Sequence, residues 1–169
     1  AMSAYLETPE SAQAVLLADR LRIGLHWDVE VTNVPSGSGP RVSQAFCSAL
    51  PVAYSRVPST HWRVFASVIL RAAYEATMWA GICNARRGGS NKVLLTRLGG
   101  GAFGNDEAWI HEAMRAALDW GVAHFGRTDF VCMIAPENAP SLKLAAKLGY
   151  AAYGEADYKG SRSVLLRRP

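Results

Sequence analysis

The sequence predicts an α/β fold in one domain, residues 1–169, with a mixed β-sheet covered by helices. Three observations carry this. Helical periodicities alternate with short apolar runs along the chain, which is the order of a layered α/β structure. One of those runs leads straight into a cluster of glycines and then a helix. At 169 residues, with 50% hydrophobic and 19% charged side chains, the chain can bury a core without disulfides or metals.

Thr8-Pro9-Glu10 reads as a helix start, with Thr8 as cap and Pro9 at the first helical position. Val15, Leu16 and Ile23 recur at helical spacing, and Gly24 can end the helix. Val29, Val31 and Asn33 alternate with Asp28, Glu30 and Thr32 as in a half-buried strand. Pro35 to Pro40 (PSGSGP) is a loop by composition. Arg41 to Tyr54 is expected to be extended, with the character of a sheet edge because Pro51 interrupts it.

Ser59 or Thr60 then caps a long helix whose stripe is Trp62, Phe65, Ile69, Ala73, Ala76 and Ala80. Arg86 and Arg87 suit its C-terminal end, and Gly88-Gly89 stop it. Lys92 to Arg97 (KVLLTR) reads as a buried central strand. After the glycines, Asn105 or Asp106 caps a helix with Ile110, Ala113, Met114, Ala117 and Leu118 on its inner face. Asp129 to Ile134 is a second buried strand, and Pro140 to Leu148 a short helix closed by Gly149. Ala151–Asp157 and Ser163–Arg168 are strands about a Lys159-Gly160 turn.

Several functions are set aside by composition. The net charge of +4 is scattered and forms no cationic stripe with interleaved aromatics, so nucleic acid is not an expected partner. Cys47, Cys83 and Cys132 stand singly in apolar stretches and read as buried thiols of a reducing, cytoplasmic compartment. No run reaches the ~18 apolar residues of a membrane span, and no signal sequence opens the chain. Ala1 ahead of Met2 reads as a cloning remnant. The histidines His26, His61, His111 and His124 show no paired spacing, so no metal is expected. No G-x-S-x-G motif surrounds any serine. Core packing accounts for Trp62, Trp79, Trp109 and Trp120, although Trp109 stands one turn past the glycines, where it could flank an adenine.

The feature richest in chemistry is KVLLTRLGGGAFGND, with four glycines in 99–104. Glycines let backbone approach a ligand closely, and successive N–H groups beside a helix start suit a phosphate. Asp106 and Glu107 can also satisfy that helix start by themselves. Arg97, Gly99, Gly100, Gly101, Ala102, Phe103, Gly104 and Asn105 are the candidate ligand-binding residues.

From Glu112 onward, EAMRAALDWGVAHFG, FVCMIAPENAPSLKLAAKLGY and YKGSRSVLLRRP resemble GNAT-family N-acetyltransferases, in particular those acting on protein N-termini and related amines. The resemblance implies acetyl-CoA as cofactor, its pantetheine arm lying along Phe130 to Ile134 and its turn contacts coming from Asn138 and Ser141. It implies a backbone oxyanion donor between Val131 and Met133, and RLGGGA matches the family's pyrophosphate pattern. Ala145 stands where many members place a tyrosine acid, which leaves Tyr150, Tyr153 or water for that proton, with Glu155 and Tyr153 as proton-transfer candidates.

Upstream, FCSALPVAYS, AAYEATMWAGICNA and the glycine segment resemble the C-terminal part of macrodomain-like proteins over residues 25–113, which implies ADP-ribose. The two resemblances meet near Glu112 to Leu118, compatible with a natural fusion, an engineered chimaera or one diverged family. Three readings stay open: an acyltransferase, an ADP-ribose-binding module, and a scaffold without catalysis. Both ligands carry an adenosine diphosphate, so a nucleotide-diphosphate ligand is common to the first two. The amine acceptor is undefined, and a homodimer is compatible with the sequence.

Overall fold

The computed structural model describes residues 6, 8–32, 39–125, 130–158 and 160–168. The chain is of the mixed α/β class that its periodicities predict, and it forms two compact units, residues 1–117 and 118–169.

In the first unit, α1 spans Ala12–Ala18, later than Thr8 would start it. Thr8 to Ser11 forms a turn, and Ser11 takes the cap by accepting the Ala14 N–H at 3.3 Å. The helix ends six residues before Gly24, which instead opens strand β1, Gly24–Glu30. Antiparallel to it runs β2, Arg41–Phe46, the strand part of the expected extended segment. Their register shifts between His26 and Val29, at Asp28, whose φ of 54° places a non-glycine residue in the left-handed region. Helix α2, Arg63–Arg86, follows a short 3-10 turn over Ser59–His61.

On α2 the buried residues include Ala66, Leu70, Ala73, Tyr74 and Met78, while Phe65 and Ile69 are half-buried. The core-facing stripe is thus rotated by about one residue from the predicted one. Small alanines on several faces give the pattern no sharp direction. Leu6, Ala14 and Val68 form a core cluster with Leu17, Ala18, Val64 and Phe65 packed against it.

Lys92 to Arg97 is not a ladder strand. It is extended, with the alternation half-buried at Val93 and Leu95 and exposed at Leu94 and Thr96, but no strand pairs with it among the described residues. Apolar content predicted its shape, and pairing depends on a neighbour that the sequence cannot specify. Beyond the glycines, α3 runs Glu107–Phe125, with Asp106 accepting the Ala108 N–H at 2.7 Å as its cap.

The second unit holds β3, Phe130–Ile134, α4, Ala139–Lys147, β4, Ala151–Tyr158, and β5, Ser161–Arg168. The strand order is β3-β5-β4, antiparallel throughout. The described strands therefore form two antiparallel sheets rather than one sheet with parallel pairs. Asn138 caps α4, its side-chain oxygen accepting the Ser141 N–H at 3.2 Å. Gly149, at φ 84°, ends α4 in a Schellman turn: its N–H reaches the Ala146 carbonyl, and the Tyr150 N–H reaches that of Ala145.

Of the cysteines, Cys47 and Cys132 are half-buried, but Cys83 is exposed, a departure from the buried thiol expected there. No helix among the described residues is long and apolar enough to cross a membrane. The PSGSGP segment lies mostly outside the described residues.

Candidate functional site

The glycine segment is built onto the first unit by side chains that the sequence reading passed over. The Tyr74 hydroxyl, buried on α2, donates to the Thr96 carbonyl at 2.8 Å and accepts from the Leu98 N–H at 3.0 Å. Burial pushes the Tyr74 hydroxyl up to about 12. At the far end of the loop, Asn105 is buried. Its amide nitrogen donates to the Leu50 carbonyl at 2.8 Å, and its side-chain oxygen is buried without a partner. The Ala53 N–H donates to the Phe103 carbonyl at 2.9 Å.

Much of the loop satisfies itself. Leu98, Gly100, Gly104 and Asn105 donate their N–H groups to Thr96, Arg97, Gly101 and Gly99 carbonyls. Gly99 has φ 75°, and a Cβ there would overlap Ala49 and meet the Asn105 amide nitrogen at 2.7 Å. Arg97 folds back over the loop, donating to the Gly100 carbonyl at 2.9 Å and pairing with Glu107 at 3.2 Å.

Three successive amides, those of Gly101, Ala102 and Phe103, donate to no described residue, and nothing lies within 4 Å of where a Gly101 Cβ would sit. The loop thus offers a short run of free donors with an open approach beside Arg97. Trp109 is buried in the core, which removes it as a stacking surface.

In the second unit, β3 pairs with β5 along one edge, and no strand pairs with its other edge among the described residues. Val131 and Met133 are exposed on it, 51% and 43%, while Cys132 faces inward. Burial raises the Cys132 thiol above its ordinary value. The turn after β3 is held by Asn138, whose side-chain oxygen accepts the Ser141 N–H.

Tyr150 follows the Gly149 turn and is half-buried. Burial pushes its hydroxyl up to about 12, with Cys132 adding to the rise and Arg168 opposing it. Arg168 pairs with Asp119 at 2.6 Å and has its second terminal nitrogen buried without a partner.

Tyr153 is 56% exposed, with the Arg167 guanidinium 5.5 Å over its ring. Glu155 is exposed and accepts two hydrogen bonds from Arg162, which hold its carboxyl below the usual range and weaken it as a base. No cluster of metal-ligating side chains occurs among the described residues.

The loop, the strand and the turn are legible in the sequence, but Tyr74, which anchors the loop's entry, is not. Tyr74 sits within the apolar face of α2, and its only signal was a hydroxyl in a stripe of aliphatic residues that required a partner.

No family model matches the chain, and no curated protein matches it in sequence. Among solved structures it is similar to a chain described as a GnaT-family acetyltransferase from Bordetella pertussis, at 19% identity and TM-score 0.41, with 93% of this chain and 72% of that one covered.

Proposed function

We propose that this protein is a GNAT-like N-acyltransferase that binds acetyl-CoA. The observation that carries the reading is the open edge of β3, with Val131 and Met133 exposed along it. An unpaired strand edge offers alternating N–H and C=O groups to an extended, amide-bearing chain. The pantetheine arm of the coenzyme is such a chain, and the PENAPS turn that follows β3 is the segment whose family resemblance is most specific.

When bound, the coenzyme supplies an acyl group activated as a thioester. The chain's own residues have three tasks. A backbone N–H between Val131 and Met133 is fixed by the β3–β5 ladder and meets the oxyanion without reorganising. The Tyr150 hydroxyl would offer a hydrogen bond to the thiolate of the coenzyme, as a donor that keeps its proton. The ammonium proton leaves to water or through Tyr153, since Arg162 engages the Glu155 carboxylate. The free amides of Gly101, Ala102 and Phe103, in the first unit, are suited to an anion such as a diphosphate, and the β3 reading does not rest on them. We place the activity in the cytoplasm, in keeping with three free cysteines.

Thermal-shift titration of the full chain with acetyl-CoA and, separately, with ADP-ribose tests this. A ligand that binds only the native state raises apparent stability, by about 2.7 kcal/mol at a hundredfold excess over Kd. The expected result is a saturable upward shift with acetyl-CoA. A shift with ADP-ribose alone moves the assignment to a macrodomain-like module, and no shift with either leaves a scaffold.

A further inference from the structure

A cavity of about 570 Å³ in the first unit, bordered at one end by the Tyr74 anchor of the glycine segment, has the build of a peptide slot. Two extended segments line it, β2 and residues 92–96 with Leu98. At one end the Ser43 hydroxyl donates to the Asn84 side-chain oxygen at 2.6 Å, and Asn84 donates to the Ser90 carbonyl at 2.8 Å. Further along, the Cys47 sulfur lies 3.9 Å from the Thr77 hydroxyl, and Tyr74 holds Thr96 and Leu98. Both segments therefore run from the C-terminal end of α2 toward its middle, parallel to each other.

No ladder joins them. β2 pairs only with β1 among the described residues, and the N–H groups of Val93, Leu94, Leu95, Thr96 and Arg97 have no protein acceptor there. An apolar stretch with period-2 burial and unpaired amides is a strand without a neighbour.

The charges fix what would fit. Arg41 and Lys92 stand at the N-terminal ends of the two segments, brought to one end of the cavity by the Ser43–Asn84–Ser90 chain. Neither has a carboxylate partner among the described residues: Arg41 donates only to the Asp28 carbonyl, at 3.3 Å. The Asp28 carboxylate, also on the lining, is occupied by Arg87 at 3.4 Å. The remaining wall mixes the apolar Ala45, Ala80, Val93 and Leu95 with the aromatic rings of Trp27 and Phe46.

We propose that this slot takes the C-terminal end of an apolar, extended peptide as a strand antiparallel to both segments. Antiparallel entry gives the firmer ladder and delivers the peptide's terminal carboxylate to Arg41 and Lys92. The six residues of β2 offer a track about 20 Å long at ~3.3 Å per residue. Backbone pairing supplies affinity and the carboxylate supplies direction.

The test is fluorescence anisotropy of the full chain with a labelled valine–threonine hexapeptide, as its free acid and as its C-terminal amide. The acid is expected to bind saturably, and the amide about tenfold more weakly, the size of one charge-assisted contact. The double variant Arg41→Gln/Lys92→Gln is expected to erase the difference between the two peptides. Hydrogen exchange gives a second readout: residues 93–97 exchange freely in the free chain and slow when the acid is added. Equal binding of acid and amide overturns the proposal, as does no binding at about 1 mM peptide. So does protection of residues 93–97 in the free chain equal to that of β1 and β2, because the slot would then be closed by the chain itself.

Discussion

Replacing Tyr74 with phenylalanine removes one oxygen atom and two hydrogen bonds, and its cost can be worked out at two pH values. The hydroxyl ties α2 to residues 96–98 through contacts of 2.8 and 3.0 Å. The Leu98 N–H keeps its 2.9 Å bond to the Thr96 carbonyl, so neither backbone group is wholly orphaned. The loss is therefore about 1–2 kcal/mol near neutral pH.

Alkaline conditions erode that lead. The buried hydroxyl is raised from the ordinary 10.0 to about 12, so between these values the folded chain keeps a proton that the unfolded chain releases. Stability from this group is full below pH 10 and is lost as the pH rises through 12, at ~1.4 kcal/mol per pH unit. Phenylalanine has no such slope. Tyr150, raised likewise, is present in both proteins and cancels in the difference.

Urea unfolding of both proteins at pH 8 and pH 11 is the assay. The wild type is expected to lead by about 1–2 kcal/mol at pH 8 and to lose about 1.4 kcal/mol of that lead by pH 11. Equal stabilities at pH 8, or a constant gap across the range, would refute the placement of the Tyr74 hydroxyl between Thr96 and Leu98.

Gly99→Ala meets Ala49 and Asn105 at a left-handed φ and should lower unfolding free energy by about 2–3 kcal/mol, whereas Gly101→Ala, in open space, should change it by less than ~0.5 kcal/mol. Parallel denaturation curves for these two variants would contradict the loop geometry. Asn105→Ala removes one of two donors to the Leu50 carbonyl, which keeps the Val52 N–H at 2.9 Å, and a loss of about 1 kcal/mol is expected from thermal melts. Gly149→Ala forces a Cβ into the Schellman turn at φ 84°, costing about 1–2 kcal/mol by calorimetry. Glu155→Gln removes an exposed pair with Arg162. Its effect on the melting temperature should be small at pH 7 and should vanish as the pH falls through the lowered carboxyl pKa, since that pairing exists only above it.

The parts of the fold that were legible in the sequence are those set by local chemistry. Gly88-Gly89 end α2 where expected, and Asn138 and Gly149 bracket α4 within a residue of its predicted limits, because caps and left-handed turns are decided by a few neighbouring atoms. The β4–β5 hairpin was equally plain from its alternation. Lys92 to Arg97 shows the opposite case. Its alternation predicted an extended shape, and the shape is present, but a ladder requires a partner edge supplied from elsewhere.

At the candidate site, the glycines revealed a bend with spare donors. They did not reveal that Asn105 and Arg97 would occupy its underside and rim, because those contacts depend on Leu50, Ala49 and Glu107. Glu155 looked available as a base until Arg162, seven residues on in sequence, faced it across the β4–β5 hairpin. Charge pairing across strands lies beyond a linear pattern.

Hydrogen–deuterium exchange of the full chain, with and without saturating acetyl-CoA, measures the β3 edge directly. If the pantetheine arm lies along that edge, exchange in 130–134 slows on adding the coenzyme while β4 is unchanged. Identical exchange in β3 with and without acetyl-CoA, at concentrations well above those used in the thermal titration, would contradict the assignment.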